Sequence, residues 1–301
     1  FGLSYQVLAA VNPRLVMVSM PSFGTGGPES DSRGYGNTVE AMAGVTTLNR
    51  YDDAEQPYTL SNALGDPVAG LNGTLAVLVA LHERERTGRG QLVEIAQVEA
   101  AIPLITGALL EYQFTGQLPA PRGNRHPKYA PHGIYRCAGD DAWLALAAET
   151  DEQWRGLLGA LSLDSLAGDP RFADQAGRKA NEEALDAELS AALAALSVDD
   201  AAGRLNCAGV FAQPVSSAPE VLGDSHLQER GFFVAVEREV SGTHLYPGPV
   251  TRLSRTPLDG GRPAPLLGQH NAEVLRELLE MSDEEIRALE GAGVIGSVPR
   301  E

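Results

Sequence analysis

At 301 residues the chain is long enough to bury a sizeable core, and this length favours two domains. Forty acidic residues against 23 basic ones give a formal net charge of −17, which would repel a phosphate backbone or an anionic membrane surface. The composition therefore argues against general nucleic-acid binding and against membrane association. Nearly all the basic residues are arginine, so the fixed cations of any anion site will be guanidinium groups.

The first part of the chain alternates predicted strands and helices. Its first strand is a short β-rich run bounded by Pro13 and Pro21, and its first helix ends in the Arg-Thr-Gly-Arg-Gly stretch at 86–90. In chain order the elements are a strand at 14–20, a helix over 67–86, a strand at 91–96 and a helix over 98–114. This alternation predicts an α/β architecture with a largely parallel sheet.

A change of composition follows. Residues 116–130 are rich in proline and glycine and carry Arg122, Arg125 and Lys128, which indicates a linker that lies near an anionic ligand. We predict a large domain at 1–115, a small domain at 131–245, and a return linker with C-terminal helices at 246–301. The later elements are strands near 133–137, 143–148 and 232–240, and helices near 152–161, 181–196, 199–205, 269–281 and 282–289.

The two cysteines, Cys137 and Cys207, are too few and too far apart to indicate a disulfide framework or a zinc site, so we interpret both as reduced thiols of a cytoplasmic protein. His126 and His132 have no second pair beside them in sequence, and we predict no metal site. The longest apolar stretches fall well short of a bilayer span. Since the chain opens at Phe1 without a targeting segment, we expect that an N-terminal part precedes it.

The sharpest local feature is Leu64-Gly65-Asp66-Pro67. In a purely structural interpretation, Asp66 caps the following helix and Pro67 is its first residue. The same geometry suits chemistry, because a helix N-terminus stabilises negative charge and would keep this carboxylate ionised at a strand-to-helix loop. Spacing alone favours the capping role.

A glycine-rich loop, Ser22-Phe23-Gly24-Thr25-Gly26-Gly27-Pro28, follows the first predicted strand. It is not a dinucleotide fingerprint, because its spacing differs from Gly-x-Gly-x-x-Gly and no helix opens after Pro28 to receive a pyrophosphate. We interpret it as a mobile or close-packed loop over an active site. The sequence contains no Gly-x-Ser-x-Gly elbow and no His-Glu-x-x-His pair, so serine hydrolase and zinc protease functions have no support.

Several runs stand out together along essentially the whole chain. They are Asn12 to Val16, the Ser22 to Pro28 loop, Leu64 to Asp66 with Ala69 and Gly70, His82 to Gln91, Gly123 to Arg125, Gln153 and Trp154, Asp169 to Phe172, and Ala264 to His270. In order and spacing these runs resemble one enzyme family, the class III coenzyme A transferases, also called the CaiB/BaiF family. The group includes formyl-CoA and carnitine-CoA transferases.

The resemblance implies a Rossmann-like large domain, incomplete in this chain, and a smaller α+β domain reached by linkers. It also implies a homodimer of two interlocked rings. The expected substrates are an acyl-CoA and a small carboxylic acid, with coenzyme A as a substrate and no permanently bound cofactor.

The resemblance makes Asp66 the nucleophile, which would form a mixed anhydride with the acyl group and then an aspartyl-CoA thioester. Arg33 stands where some members carry a basic residue that touches the coenzyme, although an exposed surface arginine is an equal alternative. Water must be excluded from such intermediates, and the glycine loop and the Gly123–Arg125 turn are the predicted lid. The implied coenzyme-binding residues are Phe23, Gly24, Arg33, Gln97, Gly123, Asn124 and Arg125.

Two other functions stay open. The α-methylacyl-CoA racemase branch carries a histidine base in the segment matching Gly34 to Asn37, where this chain has Tyr35, so a two-base racemase would lack one base. A non-catalytic subunit, or one half of a heteromeric or tandem transferase, is the second alternative, and Asp66 speaks against it. The sequence does not reveal the donor and acceptor acids.

Overall fold

The computed structural model describes residues 1–51, 56–60 and 62–298, and internal contacts divide the chain into two units, Phe1–Val215 and Ser216–Glu301. The helices of the first unit are α1 (Tyr5–Val11), α2 (Gly36–Met42), α3 (Val45–Leu48), α4 (Gly65–Thr87), α5 (Gln97–Ala101), α6 (Thr106–Thr115), α7 (Asp151–Leu161), α8 (Asp164–Ala167), α9 (Gln175–Ala180), α10 (Glu182–Leu193) and α11 (Val198–Cys207). Its strands are β1 (Met17–Ser19), β2 (Leu92–Glu94), β3 (His132–Arg136), β4 (Trp143–Ala147) and β5 (Phe211–Pro214).

Strands β1 and β2 form the parallel pair that the sequence predicts, although each is shorter than its predicted run. Met17 pairs with Leu92 and Ser19 with Glu94, so both strands end at the same edge. The connection between them contains α2, α3 and α4, and α4 leads directly into β2. A crossover of this kind places the loops that follow the two strands, and the start of the helix, at one end of the layer.

The predicted start of the long helix is wrong. Asp66 is not its cap and Pro67 is not its first residue, because α4 begins at Gly65 and Leu64 is already in the right-handed helical region. Ala63, just before it, has a left-handed backbone with φ of 46°. Pro67 is tolerated because the N–H groups of the first turn have no partner within the helix. The C-terminal end is as predicted, since Gly88, with φ of 74°, donates its N–H to the Arg84 carbonyl oxygen.

The predicted single helix over 98–114 is also wrong in detail. It divides into α5, a 3₁₀ segment at Ile102–Ile105 and α6. Pro103 lies in that 3₁₀ segment, and its missing N–H and its ring prevent a continuous α-helix through this point.

Strands β3, β4 and β5 form an antiparallel sheet in the order β3-β4-β5. The first two match predicted strands, whereas β5 was not predicted. Alternate residues of β4 point to opposite faces, and Leu144 and Leu146 are the buried ones. Their face packs against α7, α10 and α11 to form one core, whose largest fully buried aliphatic residues are Leu144, Leu157, Leu185, Leu189, Leu193 and Leu205.

The second unit contains helices α12 (Ala218–Gly223) and α13 (Ser225–Glu229), the antiparallel pair β6 (Phe233–Arg238) and β7 (Gly242–Pro247), and helices α14 (Asn271–Leu279) and α15 (Asp283–Gly291). The predicted strand near 232–240 and both predicted C-terminal helices are confirmed. Ser282 caps α15 as predicted and forms a reciprocal capping box with Glu285.

The mixed helix-and-sheet architecture predicted from the sequence is confirmed. The boundaries proposed for the large domain, linker and small domain stay a prediction, as does packing of the 246–301 segment on the large domain; residues 299–301 lie outside the described part. No helix in the described ranges has the length and apolar character needed to span a membrane. Within those same ranges, no cluster of three or more histidine, cysteine or acidic side chains is arranged to hold a metal ion.

Candidate active site

Asp66 lies exposed in the first turn of α4. Its N–H donates to the carbonyl oxygen of Ala63 at 3.0 Å, which closes a tight turn at the start of the helix. The positive end of the helix dipole therefore lies beside the carboxylate. Ala63 carries the strained backbone of this turn, and strain of this kind is concentrated at functional sites.

Gly36, the first residue of α2, packs directly on this turn. A β-carbon at Gly36 would lie 2.6 Å from Asp66 Oδ2 and would also clash with the Ala63 side chain. Only glycine therefore permits this approach of α2 to the carboxylate. Sequence reasoning considered the neighbouring Tyr35 and missed Gly36, for which the Gly34-Tyr35-Gly36 spacing was the available signal.

The base of the site is small and tightly fitted. A β-carbon at Gly65 would lie 2.8 Å from Val39 Cγ1, and Val39 is fully buried with Ala43 and Ala101. Beside this cluster is the buried carboxylate of Glu40, whose two oxygens have no hydrogen-bond partner among the described residues. The start of α4 is thus held by close packing against α2.

The glycine loop after β1 reaches the same region. Gly34 packs on it, because a β-carbon there would lie 2.6 Å from Ser22 Cβ and 3.2 Å from Phe23 Cε2. Gly24 has φ of 86°, a conformation that favours glycine. The N–H of Gln97 donates to the carbonyl oxygen of Pro21 at 3.1 Å. The loop therefore contacts both α5 and Gly34. Gly34 lies two residues before Gly36, which contacts Asp66.

A further residue holds this loop, and the sequence analysis did not identify it. Glu94, the last residue of β2, accepts the N–H of Thr25 through Oε1 at 2.6 Å. The hydrogen bond from Thr25 holds the pKa of the Glu94 carboxyl below its usual value. No motif identifies this contact, because it joins residues 69 positions apart.

Arg33 is exposed in the segment between the glycine loop and α2. Its predicted contact with the coenzyme stays a prediction.

The Gly123–Arg125 turn has its described contacts with two other parts of the first unit. Gly123 donates its N–H to the Arg50 carbonyl oxygen at 3.2 Å and lies against the Tyr51 ring, whose hydroxyl accepts from Asn124 Nδ2 at 3.3 Å. Arg125 Nη2 donates to Asp186 of α10 at 3.0 Å. The turn therefore joins the segment after α3 to helix α10, and its role in coenzyme binding stays a prediction.

Asp186 also accepts the hydroxyl of Tyr135, at 2.7 Å. Burial and the neighbouring Asp186 carboxylate raise the pKa of Tyr135 far above its usual value. Arg125, Asp186 and Tyr135 thus form one network that anchors the turn to β3 and α10.

A groove of about 570 Å³ lies beside this turn, over the face of the β3-β4-β5 sheet opposite the core. Its apolar floor includes Ile134 and Phe211, and its polar rim includes His126 and His132. Partial burial and the nearby His132 lower the pKa of His126. At neutral pH His126 therefore adds little positive charge to the groove.

Comparison with known proteins agrees with this fold. The model of CoA-transferase family III matches residues 1–271. A relative from Chloroflexus aurantiacus, named succinyl-CoA–D-citramalate CoA-transferase, is 34% identical over 98% of this chain and 73% of its own length. One from Mycobacterium tuberculosis, named "Probable CoA-transferase", is 35% identical over 96% of this chain and 37% of its own length.

Among solved structures, a CAIB/BAIF family protein from Brucella suis superposes with a TM-score of 0.83 and 30% sequence identity. The superposition covers 92% of this chain and 71% of that one.

Proposed function

From the premise that this chain belongs to CoA-transferase family III, and so is an enzyme of the CoA-transferase type, we propose that it moves coenzyme A between an acyl-CoA and a carboxylic acid through Asp66. One observation carries the proposal. The Asp66 carboxylate is exposed at the N-terminus of α4, fitted against Gly36 and connected by contacts to the glycine loop.

In the first half of the reaction an oxygen of the Asp66 carboxylate attacks the thioester carbonyl carbon. The carbon–sulfur bond breaks, coenzyme A leaves as a thiolate, and an aspartyl mixed anhydride remains. The thiolate then attacks the Asp66 carbonyl carbon of that anhydride. The donor acid leaves as its carboxylate, and Asp66 holds coenzyme A as a thioester.

The second half reverses these steps with a different acid. The acceptor carboxylate attacks the Asp66 carbonyl carbon and displaces the thiolate, which gives a new mixed anhydride. The thiolate attacks the acceptor's acyl carbon, the new acyl-CoA forms, and the Asp66 carboxylate is released. No oxidant, metal or external base enters the balance.

The surrounding residues supply orientation and exclude water. The start of α4 presents the Asp66 carboxylate to the thioester, and Gly36 leaves room for the tetrahedral carbon beside it. The Thr25 amide is already bound to Glu94, so we assign the oxyanion contacts to the exposed loop glycines, Gly26 and Gly27.

The acids are proposed from the relative's name, which pairs succinyl-CoA with D-citramalate. Both are dicarboxylic acids, and we propose dicarboxylates as donor and acceptor here. A panel of unlabelled acyl-CoAs with labelled mono- and dicarboxylic acids tests this, with product acyl-CoA separated by chromatography. Transfer only to monocarboxylic acids would contradict the substrate class without affecting the role of Asp66.

We also propose that the enzyme is an interlocked homodimer in the cytoplasm. Support for a partner is the apolar face of α4, where Leu71, Leu75, Leu78 and Val79 are each 58–73% exposed. Both cysteines are free thiols, which supports a reducing compartment. Sedimentation of the purified enzyme at several concentrations measures its mass, and a monomer at all of them would contradict the dimer.

The decisive experiment is replacement of Asp66. Asp66→Ala is expected to abolish transfer, because among the described residues the carboxylate that lies against Gly36 is that of Asp66. Wild-type enzyme incubated with acyl-CoA and then hydroxylamine should carry a hydroxamate on Asp66, found by peptide mass spectrometry. The matched control is Asp164→Ala, which removes an exposed aspartate from the first turn of α8 and should transfer normally. Full transfer by Asp66→Ala would refute the proposal.

A second measurement separates transfer from racemisation. Tyr35, which is 84% exposed, occupies the place of the racemase branch's histidine, so a two-base racemase would lack one base. With a 2-methylacyl-CoA in deuterium oxide and no acceptor acid, we expect no Asp66-dependent deuterium at the α-carbon. Uptake at a catalytic rate that is lost in Asp66→Ala would establish the racemase instead.

A further inference from the structure

Glu94 forms a bridge between β2 and the glycine loop. It ends β2 in register with Ser19, the last residue of β1, so its carboxylate lies at the edge from which the loop departs. From there Oε1 accepts the Thr25 N–H at 2.6 Å. The same oxygen would lie 3.5 Å from a β-carbon added at Gly24, so the loop backbone is folded closely over the carboxylate.

The loop held in this way leads to the reactive group. Phe23 precedes the bridge, and its ring packs on Gly34, two residues before Gly36, which contacts Asp66. The loop is exposed from Thr25 onward, and glycines such as Gly24 and Gly27, both in left-handed conformations, give a backbone many accessible conformations when nothing holds it. A hydrogen bond to an ionised carboxylate is the stronger kind of tether. Ser22 and Phe23 are held by contacts before Thr25, and after it the Gly27 carbonyl oxygen accepts the Ser30 N–H at 3.3 Å, a contact within the same segment that does not attach it to β2.

We propose that Glu94 is a positioning residue, which holds the Phe23–Gly27 loop folded beside Asp66 so that the aspartyl-CoA thioester reacts with the acceptor acid and not with water. The inference rests on the proposed transferase function of Asp66. Its alternative is a surface carboxylate whose hydrogen bond to Thr25 has no effect on the reaction.

The competing reaction is simple hydrolysis. Water attacks the Asp66 thioester carbonyl carbon, the carbon–sulfur bond breaks, and coenzyme A leaves as the thiol with one proton from water. The second proton is released to solvent, and the Asp66 carboxylate is regenerated. Each event therefore consumes one acyl-CoA, releases one free thiol and forms no new acyl-CoA, so thiol release per transfer measures the leak.

The test compares Glu94→Ala with Glu94→Gln, whose amide oxygen still accepts the Thr25 N–H. In Glu94→Ala we expect amide hydrogen exchange in the 22–27 peptide and the ratio of hydrolysis to transfer each to rise about tenfold, the factor that one hydrogen bond of ordinary net strength supplies. Glu94→Gln should return both quantities most of the way to wild type. Glu111→Ala, an exposed glutamate on α6, is the control and should change neither.

Several outcomes would overturn the inference. If Glu94→Ala keeps the wild-type amide exchange and the wild-type ratio of hydrolysis to transfer, the tether has no function. If both quantities rise equally in Glu94→Ala and Glu94→Gln, loop folding depends on charge or packing instead of the hydrogen bond. If Glu94→Ala does not fold, the test depends on Glu94→Gln. Amide hydrogen exchange in the 22–27 peptide of that variant far above the wild-type rate would contradict the tether. A wild-type enzyme that transfers nothing refutes the role of Asp66, whereas the exchange measurement still tests the Glu94–Thr25 contact.

Discussion

The two halves of the first unit are built in different ways. Residues 130–215 contain one continuous core in which β4 packs against α7, α10 and α11. In residues 1–115, the buried hydrophobic cluster found among the described positions consists of Val39, Ala43 and Ala101 alone. The half with the large core carries Asp186, which binds Arg125 of the Gly123–Arg125 turn. The half with the small cluster carries Asp66.

The difference shows where each half obtains its stability. Helix α4 buries a narrow row of small residues, Gly65, Ala69, Gly73 and Ala80, and leaves large leucines exposed. This exposed apolar face is the surface that the proposed partner subunit would cover. We therefore expect substitutions in the 130–215 core to act on folding, and substitutions near Asp66 to act on function.

The largest expected effect is on the folding of the second half. Leu189 of α10 is fully buried in the core, and Leu189→Ala should lower the free energy of unfolding by about 2–5 kcal/mol through lost burial and the cavity left behind. Val240→Ala, in the turn after β6 where the side chain is exposed, should change it by no more than about 0.5 kcal/mol. Urea denaturation of the 301-residue chain measures both. An equal loss in Val240→Ala would contradict the assignment of this stability to the buried core.

The next effect is on activity in the first half. Gly36→Ala places a methyl group against Ala63 and Asp66 Oδ2, so the carboxylate must move. The rate of transfer should fall about 100-fold, because a displacement of about 1 Å in a reacting group has an effect of that size. Gly70→Ala in α4 meets nothing within 4 Å and should keep full transfer. Steady-state transfer assays compare the two. Full activity in Gly36→Ala would mean that the close approach of α2 is not needed.

Arg178 tests the polar part of the 130–215 core. Its guanidinium is fully buried and donates to the carbonyl oxygens of Ala130 and Phe172 and to the Asp151 carboxylate. Arg178→Met leaves the two carbonyl groups without this donor, and we expect a loss of about 1–3 kcal/mol in the free energy of unfolding.

The matched control is Arg204→Met, which removes an exposed pair with Asp200 one helical turn away. Exposed pairs of this kind contribute about 0–1 kcal/mol, so the control should unfold nearly as wild type does. If the two variants lose the same stability in urea, the buried network around Arg178 contributes nothing beyond a surface contact.

The smallest effect is a pH dependence. Burial and Asp186 raise the pKa of Tyr135 in the folded state, so the folded protein holds the phenolic proton more tightly than the unfolded chain. This contribution to stability is complete below the unfolded pKa of about 10 and is lost as the pH rises above it. Between pH 8 and 11, the difference in unfolding free energy between wild type and Tyr135→Phe should therefore shrink. Parallel curves would contradict the shift.

The candidate site was only partly predictable. Asp66 was identified because the Gly-Asp-Pro run resembles a family motif, and the structure presents its carboxylate at the start of α4 as expected. The cap interpretation failed because Ala63 and Leu64 have already turned the chain before Gly65. Gly36 and Glu94 were missed because each acts through a contact with a residue distant in sequence, which periodicity does not report.

What the sequence by itself determined is the set of elements with strong local signals. The long helix ends at Gly88, Ser282 caps the last helix, and the runs around β1, β2, β3 and β4 form strands, because capping, glycine conformation and alternation act over a few residues. Only tertiary structure decided that the glycine loop is bound by Glu94, that α2 lies against Asp66, and that Arg125 pairs with Asp186. Those contacts depend on which surfaces meet when the chain packs, and no local pattern encodes that.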